Sequence, residues 1–445
     1  MIDERTQYLI KKYDRPVPRY TSFPTAVQFR DGFNQKTYAQ ILKNLPTDKP
    51  VSLYVHIPFC HSLCHYCGCN TKIVATYRPI ERYIDTLLRE IELIGDIIPK
   101  NINISRIHFG GGSPNYAKSK DISRILYKMS CFFDISDETQ IDMECDPRLL
   151  DKQKIIDYAA LGISRISLGI QDFNTDVQNA INRVQPFDMV QSLMSDFHEN
   201  GIEDINFDLI TGLPAQTMQS VEQTIEQAIE LSPKRLAVFA YAHVPWMKKH
   251  QILLEKYDRP DTSLRYAMNE RVNEKLIGAG YHEIGIDHYD KSDDTLYKLQ
   301  QSKELRRNFQ GYTDDTADVI IGLGLSSISN LNHAYVQNNV DAPAYHAAIK
   351  EGNFPISRGC TLSADDKIRR KLIERLMCDF MINFADYPEI EIPYARLETL
   401  QQDGLIEMNE DGLHVTQQGK IFVRVVAACF DPYLKTDTQH HAKAI

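Results

Sequence analysis

The stretch that decides the fold runs Tyr54-Val-His-Ile-Pro-Phe-Cys60-His-Ser-Leu-Cys64-His-Tyr-Cys67-Gly-Cys69-Asn70 and holds four of the nine cysteines within ten residues. Cysteine thiolates are soft ligands that select zinc, copper(I) or iron–sulfur clusters. A closed zinc site takes four ligands, usually as two separated pairs, and no second pair follows this one. Three thiolates, those of Cys60, Cys64 and Cys67, suit three corners of a [4Fe–4S] cube and leave one iron open. A disulfide-rich loop and a zinc knuckle are the alternative interpretations.

Composition and charge limit the class of protein. The chain has 445 residues, of which 43% are hydrophobic, enough for one large domain and a smaller one. The N-terminus lacks a basic stretch leading into an apolar run, and no segment approaches the length of a membrane span, so we expect a cytoplasmic protein. A net charge of −10 argues against binding to nucleic acid or to an anionic membrane.

The other cysteines are scattered along the chain. Their odd total argues against a disulfide framework. We expect them to be buried, inert thiols: Cys131, Cys145, Cys360, Cys378 and Cys429.

Short apolar strands alternate with helical stretches from residue 51 onward, which is typical of βα units in an α/β fold. One helix, from about Pro79 to Ile97, shows a clear 3.6-residue period. Six such units predict a partial (βα)6 barrel that binds ligands at the carboxyl ends of its strands. The predicted strands are Val51 to Val55, Ser105 to Phe109, Gln140 to Glu144, Arg165 to Ile170, Ile205 to Ile210 and Leu236 to Ala240.

Three segments are predicted around this barrel. Residues 1–50 form an N-terminal arm, in which three prolines between Arg15 and Pro24 keep the chain out of a helix. Residues 51–360 form the barrel and an insert, which ends in a small-residue turn from Gly322 to Ser329. Residues 361–445 form a small, mainly helical domain.

The C-terminal domain has a winged-helix-like pattern. A helix from Asp365 to Phe380 precedes a second helix and a hairpin that turns at residues 410–412. Because this hairpin is acidic, we expect a packing domain or a lid rather than a DNA-binding domain. We expect the tail from Lys435 onward to be disordered.

These motifs resemble a known family. The C-x3-C-x2-C spacing after an apolar strand, with Tyr66 before the third cysteine, is similar to the radical S-adenosylmethionine (SAM) enzymes, in which SAM chelates the open iron. Gly68-Cys69-Asn70 and the arm motif Arg15-Pro-Val-Pro-Arg19-Tyr20-Thr-Ser are similar to the oxygen-independent coproporphyrinogen III oxidases, in which the arm lies over the active site. Motifs of the insert, at 285–289 and 306–312, match as well, so the resemblance covers nearly the whole chain.

The resemblance implies cofactor-binding residues at successive strand ends. The metal ligands would be Cys60, Cys64 and Cys67. A first SAM would be contacted by Tyr54, Gly111, Glu144 and Ile328, and a second by Tyr66, Gly112, Ser113, Gln171, Arg183, Asp208 and Ala242. Taken singly, each polar residue of this set could equally be an ordinary hydrogen-bonding residue at the rim of a barrel.

The activity implied by the resemblance is the oxidative decarboxylation of two propionates of coproporphyrinogen III to vinyl groups, which gives protoporphyrinogen IX in haem biosynthesis. It would use one [4Fe–4S] cluster, two SAM per cycle and an electron donor such as a flavodoxin or a ferredoxin, with the chain acting as a monomer. The catalytic candidates are Cys69, Arg19 and Tyr20; Cys69 is either a proton or electron relay or a packing thiol. Because the substrate bears four carboxylates, Arg19 and Arg306 or Arg307 are candidate carboxylate ligands.

Three other functions compete with this one. A non-enzymatic haem chaperone and a haem-degrading radical SAM methyltransferase would share the scaffold. The chaperones typically have Asn-Phe in place of Cys69-Asn70 and lack the arm motif, while the arm and the segment from Asn308 to Tyr312 argue against the methyltransferase. A winged-helix regulator is disfavoured by the acidic charge.

Overall fold

The structure is a computed structural model that describes residues 3–434. The tail from Lys435, predicted to be disordered, lies outside the described residues. Within them, no helix is long and apolar enough to cross a membrane.

The N-terminal arm contains two helices that the sequence patterns did not predict. Each begins at a capping side chain: Asp3 accepts a hydrogen bond from the Thr6 N–H at 2.7 Å, and Asn34 accepts one from the Lys36 N–H at 2.8 Å. The proline-rich residues 15–24 between them are not helical, as predicted. The elements of the arm are α1 (Glu4–Tyr13), β1 (Arg30–Asp31) and α2 (Gln35–Lys43).

The predicted barrel is confirmed. Its six strands are parallel, and each is as long as predicted or slightly longer. Both faces of these strands are covered, so their side chains form the main hydrophobic core together with the helices outside. The elements are β2 (Val51–Ile57), β3 (Phe59–Cys60), β4 (Lys72–Ile73), α3 (Arg78–Gly95), β5 (Ile104–Gly111), α4 (Ser119–Ser130), β6 (Gln140–Cys145), α5 (Lys152–Ala160), β7 (Ile163–Gln171), α6 (Thr175–Ala180), α7 (Phe187–Glu199), β8 (Asp204–Thr211), α8 (Met218–Leu231) and β9 (Arg235–Ala240).

The sheet extends beyond the six predicted strands at both edges. Its order is β1-β17-β16-β15-β14-β2-β5-β6-β7-β8-β9-β11-β10. Strand β14 pairs with β2 in parallel and places Gly322 opposite Tyr54, whereas the outer strands are antiparallel. The added elements are α9 (Thr262–Gly278), β10 (Tyr281–Ile284), β11 (His288–Lys291), α10 (Thr295–Gln301), β12 (Arg306–Asn308), β13 (Gly311–Thr313), β14 (Val319–Leu323), β15 (Ile328–Asn330), β16 (Ala334–Asn338), α11 (Ala342–Lys350) and β17 (Ile356–Thr361).

The small-residue turn from Gly322 to Ser329 is shorter than predicted. Gly322 belongs to β14 and Ile328 begins β15, so only residues 324–327 form the turn. The glycine at 322 serves a close approach: a Cβ there would lie 2.8 Å from the carbonyl carbon of Ile328. Glycine thus marks strand packing here, which the residue type alone did not distinguish from a turn.

The C-terminal segment and the arm share a second hydrophobic core. Side chains of the arm, such as Leu9, Val17 and Phe23, pack against Leu376 and Val426. The predicted helix and hairpin are present, and the hairpin joins a three-stranded antiparallel sheet of order β18-β20-β19. Its elements are α12 (Ala364–Asp379), β18 (Met381–Asn383), α13 (Tyr394–Gln402), β19 (Ile406–Met408), β20 (Gly412–Val415) and α14 (Val423–Ala428). Likeness to a winged helix stays a prediction.

One prediction about the scattered cysteines was wrong. Cys145, Cys378 and Cys429 are buried as expected, but Cys360 is half-buried and Cys131 is exposed. Cys131 directly follows the last residue of α4. Residue type alone favours burial of a cysteine, but it does not tell which side of a helix end the side chain occupies.

A buried ion network closes the end of the barrel opposite the carboxyl ends of the strands. Arg106 and Arg165 lie near the starts of β5 and β7, and both pair with Asp314, at 2.5 Å and 3.1 Å. Although burial raises the pKa of Asp314, the two guanidiniums lower it by more, so its net pKa lies well below the usual range.

We predict that Asp314→Ala destabilises the fold, because it removes the carboxylate that the buried guanidiniums of Arg106 and Arg165 share, and leaves Arg106 with Asp142 and Arg165 with Asp204. The expected loss of unfolding free energy is about 2–3 kcal/mol, the range for lost hydrogen bonds between charged groups. Urea denaturation followed by circular dichroism measures it. The matched control is Asp137→Ala at an exposed position, which should change the free energy by less than about 0.5 kcal/mol. An equal, small effect of both variants would contradict the role of the network.

Candidate functional site

The cysteine loop lies at the carboxyl ends of the barrel strands, as predicted. It follows β2. Two hydrogen bonds join it to the residues after α6: the His65 N–H donates to the Ile181 carbonyl at 2.9 Å, and the Asn182 side-chain amide donates to the Leu63 carbonyl at 2.8 Å. All four thiols of the loop face one cavity of about 230 Å³. The cavity is lined by Cys60, Cys64, Cys67, Cys69, Tyr66, Gly111, Gly112, Ser113, Glu144, Gln171, Arg183 and Asp208, among others.

Cationic and hydrogen-bonding groups lie close to two of the sulfurs, although burial raises the pKa of Cys60 to about 11. Two guanidiniums approach the Cys64 Sγ, from Arg183 at 3.5 Å and from Arg148 at 3.7 Å. The Ser113 hydroxyl lies 3.6 Å from the Cys60 Sγ. Positive charge and hydrogen-bond donors at the sulfurs stabilise a thiolate-ligated iron–sulfur cluster. The donor set therefore fits a [4Fe–4S] cluster.

The spacing of the cysteines separates the cube from a zinc site. Among residues 3–434, no three His, Cys, Asp or Glu side chains are arranged around a single metal-ion position. A zinc site needs its ligands to converge on one atom, whereas a cube spreads its thiolates over separate corners. Three cysteines on one loop, with no second pair in the sequence, favour the cube over the zinc knuckle.

Cys67 and Cys69 interact, and their pKa values shift in opposite directions. The Cys69 N–H donates to the Cys67 Sγ at 3.4 Å. Hydrogen bonds from Cys69, first from its thiol and then from its N–H, help to lower the pKa of Cys67 to about 6, while the pKa of Cys69 is raised well above its ordinary value. Cys67 and Cys69 are therefore in direct contact, with the Cys67 sulfur as the hydrogen-bond acceptor.

The glycine turn after β5 packs directly on the cysteine loop. The Gly112 N–H donates to the Ile57 carbonyl at 2.9 Å, and the Ser113 N–H donates to the Phe59 carbonyl at 2.8 Å. A Cβ on Gly112 would lie 2.8 Å from the Phe59 carbonyl oxygen, a rigid backbone atom. Gly111 has a φ of +117°, and a Cβ there would lie 2.7 Å from the His56 ring. Both positions therefore require glycine.

Glu144 is held at the end of β6 by two donors. The Gly111 N–H donates to its Oε2 at 3.1 Å, and the His108 Nε2 donates to its Oε1 at 3.3 Å. Burial lowers the pKa of His108, but the carboxylates of Asp142 and Glu144 raise it by more, to about 9. The ring of Tyr54 stacks on that of His108 with centroids 5.8 Å apart. His108 is thus a half-buried partner that orients Glu144, and their interaction raises the pKa of His108 and lowers that of Glu144.

A second pair of charged residues, Arg183 and Asp146, lies at the ends of β6 and β7. Arg183 donates to Asp146 at 3.1 Å and to the Gly169 carbonyl at 2.7 Å. Gly169 leaves room for this contact, since a Cβ there would lie 2.7 Å from the Gln171 amide nitrogen and 3.0 Å from Arg183. Gln171 itself has a φ of +68°, next to an irregularity in the strand pairing. Such irregularities redirect side chains at functional sites.

Asp208 lies deeper in the cavity, on β8. The Ser167 hydroxyl donates to it at 2.8 Å and the Asn206 amide at 2.9 Å. Burial raises its pKa to about 6. Asp208 is therefore a carboxylate with both oxygens already hydrogen-bonded.

The other predicted site residues lie outside the cavity wall. Tyr54 is not among the lining residues; its ring stacks on that of His108, and its hydroxyl lies 3.0 Å from the His56 Nδ1. Ala242 is joined to the cysteine loop by Gln251, whose amide donates to Tyr66 and Ala242 carbonyls at 2.8 Å and 3.3 Å. Ile328 packs beside Gly322, the residue that pairs with Tyr54.

The two arm residues take different places. The Arg19 guanidinium lies 5.4 Å from the ring centroid of Phe239, a residue that lines the cavity, and pairs with Asp287. Tyr20 is buried in the second core, where its hydroxyl donates to Asp431 at 3.1 Å. The structure therefore brings Arg19, but not Tyr20, next to the cavity, and a catalytic role for Tyr20 stays a prediction.

Two charged residues of the site were missed from the sequence. His108 lies opposite Tyr54 in the register of β2 and β5, so its inward position could have been found once the strands were aligned. Arg148 follows the third strand end directly, at Asp146-Pro147-Arg148, and only its charge at a barrel rim could have drawn attention to it.

The raised pKa of His108 predicts a pH-dependent stability. The pKa of His108 is about 9 in the folded protein, against an ordinary value of 6.5. Its contribution to the free energy of unfolding is therefore fully present below pH 6.5 and is lost as the pH rises through 9. Relative to His108→Gln, the wild type should lose up to about 3 kcal/mol of unfolding free energy across this range. Urea titrations of metal-free protein at several pH values measure it, with the exposed His198→Gln as the control. Parallel pH profiles of wild type and His108→Gln would contradict the assignment.

Comparison with known proteins identifies the family of the chain. The sequence model of the Radical SAM superfamily matches residues 54–228, and that of the HemN C-terminal domain matches residues 362–422. An oxygen-independent coproporphyrinogen III oxidase of Bradyrhizobium diazoefficiens is 38% identical over 99% of this chain and 100% of its own length. One from Helicobacter pylori is 36% identical over 98% of both chains. The solved structure of coproporphyrinogen III oxidase from Escherichia coli, a radical SAM enzyme, superposes with a TM-score of 0.90 at 35% identity, covering 96% of this chain and 99% of that one. The chain therefore belongs to the oxygen-independent coproporphyrinogen III oxidase family of the radical SAM superfamily.

Proposed function

We propose that this protein converts coproporphyrinogen III to protoporphyrinogen IX without oxygen, by oxidative decarboxylation of two propionates to vinyl groups. The observation that carries the proposal is the cavity at the carboxyl ends of the barrel strands, where the Cys60, Cys64 and Cys67 thiols meet a glycine turn and Glu144. Family membership over nearly the full length supplies the reaction. The proposed place of action is the cytoplasm, where thiols stay reduced.

The family implies a [4Fe–4S] cluster and SAM. Cys60, Cys64 and Cys67 would hold the cluster, with Arg148, Arg183 and Ser113 offsetting the charge of the thiolates. When bound, these cofactors supply one-electron cleavage of SAM and a 5′-deoxyadenosyl radical that removes a hydrogen from the β-carbon of a propionate. The substrate radical would then lose CO2 and give one further electron to an external one-electron acceptor, which leaves a vinyl group.

The chain's own residues bind and orient. We propose that Tyr54, Gly111, Glu144 and Ile328 contact the first SAM. An ionised Glu144 can accept hydrogen bonds from ribose hydroxyls or from the ammonium group of SAM. The same proposal assigns a second SAM to Tyr66, Gly112, Ser113, Gln171, Arg183, Asp208 and Ala242. Of these seven, all but Ala242 line the cavity, which supports a shared binding site.

Arg19 is the proposed ligand of a substrate carboxylate. Its guanidinium is partly exposed and lies over Phe239, at the border of the cavity. Its partner Asp287 is also approached by Arg307, whose Nε and Nη1 are buried and have no hydrogen-bond partner among the described residues. Positive charge thus exceeds negative charge at this place, which favours an incoming carboxylate. Arg306 is less suited, because it already pairs with Asp318 and Glu374.

The overall assignment is tested by an anaerobic assay of reconstituted protein with coproporphyrinogen III, SAM and dithionite. Protoporphyrinogen IX should form with release of CO2 in the wild type. Cys60→Ser should lose the cluster's broad visible absorption and all activity, whereas Cys69→Ser should keep the absorption, since only three thiolates are ligands. A haem chaperone would give no product, and a haem-opening methyltransferase would act on haem instead. Loss of iron from Cys69→Ser would contradict the ligand assignment.

We predict that Arg19→Gln weakens substrate binding, because one charge-assisted hydrogen bond to a carboxylate is lost. The KM for coproporphyrinogen III should rise about tenfold, with little change in kcat. The matched control is Arg15→Gln, an exposed arginine on the same arm, which should leave KM unchanged. Equal KM values for wild type and Arg19→Gln would remove Arg19 from the substrate site.

A further inference from the structure

The segment after the sixth strand carries an exposed apolar surface beside the cysteine loop. Four large hydrophobic side chains are half or more exposed: Trp246 by 67%, Met247 by 64%, Ile252 by 54% and Leu253 by 50%. Single exposed hydrophobic residues are ordinary, but four on one short segment mark an interaction surface. We call these residues, together with Lys249 and Lys256, the Trp246 surface.

The inner side of the same segment is fixed to the loop that carries the cluster ligands. Three side chains donate hydrogen bonds to loop carbonyls, each at 2.8 Å: Lys248 to Cys69, His250 to Cys67 and Gln251 to Tyr66. Gln251 is itself buried, and its amide oxygen accepts from the Val244 N–H at 2.6 Å. The Trp246 surface therefore lies one hydrogen bond away from the backbone of two cysteines of the loop.

The charge of the segment differs from that of the chain. Residues 244–257 contain Lys248, Lys249 and Lys256 against Glu255, a net charge of +2 with His250 neutral, whereas the whole chain carries −10. Lys249 and Lys256 are exposed. An apolar centre with basic residues around it fits an acidic protein, because opposite charges steer association.

The proposed reaction requires one electron to enter the cluster from outside. We infer that the Trp246 surface is the docking site of a small acidic one-electron carrier protein, such as a flavoprotein in its hydroquinone form. The carrier loses one electron, the cluster gains it, and no bond forms or breaks in this step. This inference rests on the proposed function. Weak, small interfaces are typical of electron-transfer partners, and a protruding Trp is a common anchor in such contacts.

The test separates carrier-driven from chemical reduction. Reconstituted protein is mixed with flavodoxin hydroquinone in one experiment and with dithionite in another, and cluster reduction is followed by stopped-flow absorbance. Trp246→Ser combined with Met247→Ser, and separately Lys249→Glu, should lower the second-order rate constant with flavodoxin about tenfold. The rate with dithionite should not change, because a small ion does not need the surface.

A matched control and a binding measurement complete the design. Tyr127→Ser combined with Lys120→Glu makes the same kind of change on the exposed face of α4 and should leave both rates unchanged. Calorimetric titration of oxidised flavodoxin into the protein should show binding that weakens with added salt in the wild type and is lost in the Trp246 variants.

Several results would overturn the inference. Flavodoxin rates and affinities that are equal in wild type and variants would do so. So would a wild type that dimerises in light scattering while the Trp246 variants are monomeric, since the surface would then join two copies. A separate result would contradict the proposed function and not the docking site: a wild type that does not cleave SAM even when dithionite has reduced its cluster.

Discussion

The close contact between the cysteine loop and the glycine turn is the constraint on which the site depends. Both segments leave neighbouring parallel strands, and their backbones touch at Gly112, where any side chain would strike the Phe59 carbonyl. Backbone hydrogen bonds from Gly112 and Ser113 fix the two loops relative to each other. Because the contact is between backbones, it sets the height of the thiols above the barrel with little freedom. A radical reaction requires such positioning, since the cofactor supplies the chemistry and the protein supplies orientation.

The buried charged residues form two layers, one at each end of the barrel strands. At the end far from the site, Arg106 and Arg165 pair with Asp142, Asp204 and Asp314 and close the barrel. At the site end, Arg148 and Arg183 approach a thiol, and His108 orients Glu144. The first layer stabilises the fold through ion pairs between its own residues, whereas the second leaves room for charged groups that are added with the cofactors. This difference explains why similar residue types are structural at one end and functional at the other.

The sequence allowed the barrel to be predicted well, because its six parallel strands have local apolar patterns and follow one another in space. Strand β14 escaped prediction, since it pairs with the distant β2 and contains a glycine, Gly322, next to its last residue. Helix α1 escaped as well, because it is short and is stabilised by packing on the C-terminal core rather than by a long apolar period. The cysteine and glycine motifs indicated the cavity, but His108 and Arg148 are recognised only once the strands are placed side by side. Tyr20 lies in the same motif as Arg19, yet its side chain turns into the second core, which linear proximity did not reveal.

The most direct test of the central claim concerns the iron left open by the three thiolates. Protein reconstituted anaerobically with ⁵⁷Fe is examined by Mössbauer spectroscopy with and without SAM, and by electron–nuclear double resonance with SAM labelled at its amino nitrogen. The account predicts a [4Fe–4S] cluster in which one iron alone changes its parameters when SAM binds, with coupling to the labelled nitrogen. Four equivalent irons whose Mössbauer parameters do not change when SAM binds would contradict it. So would a loop that holds zinc under the same conditions.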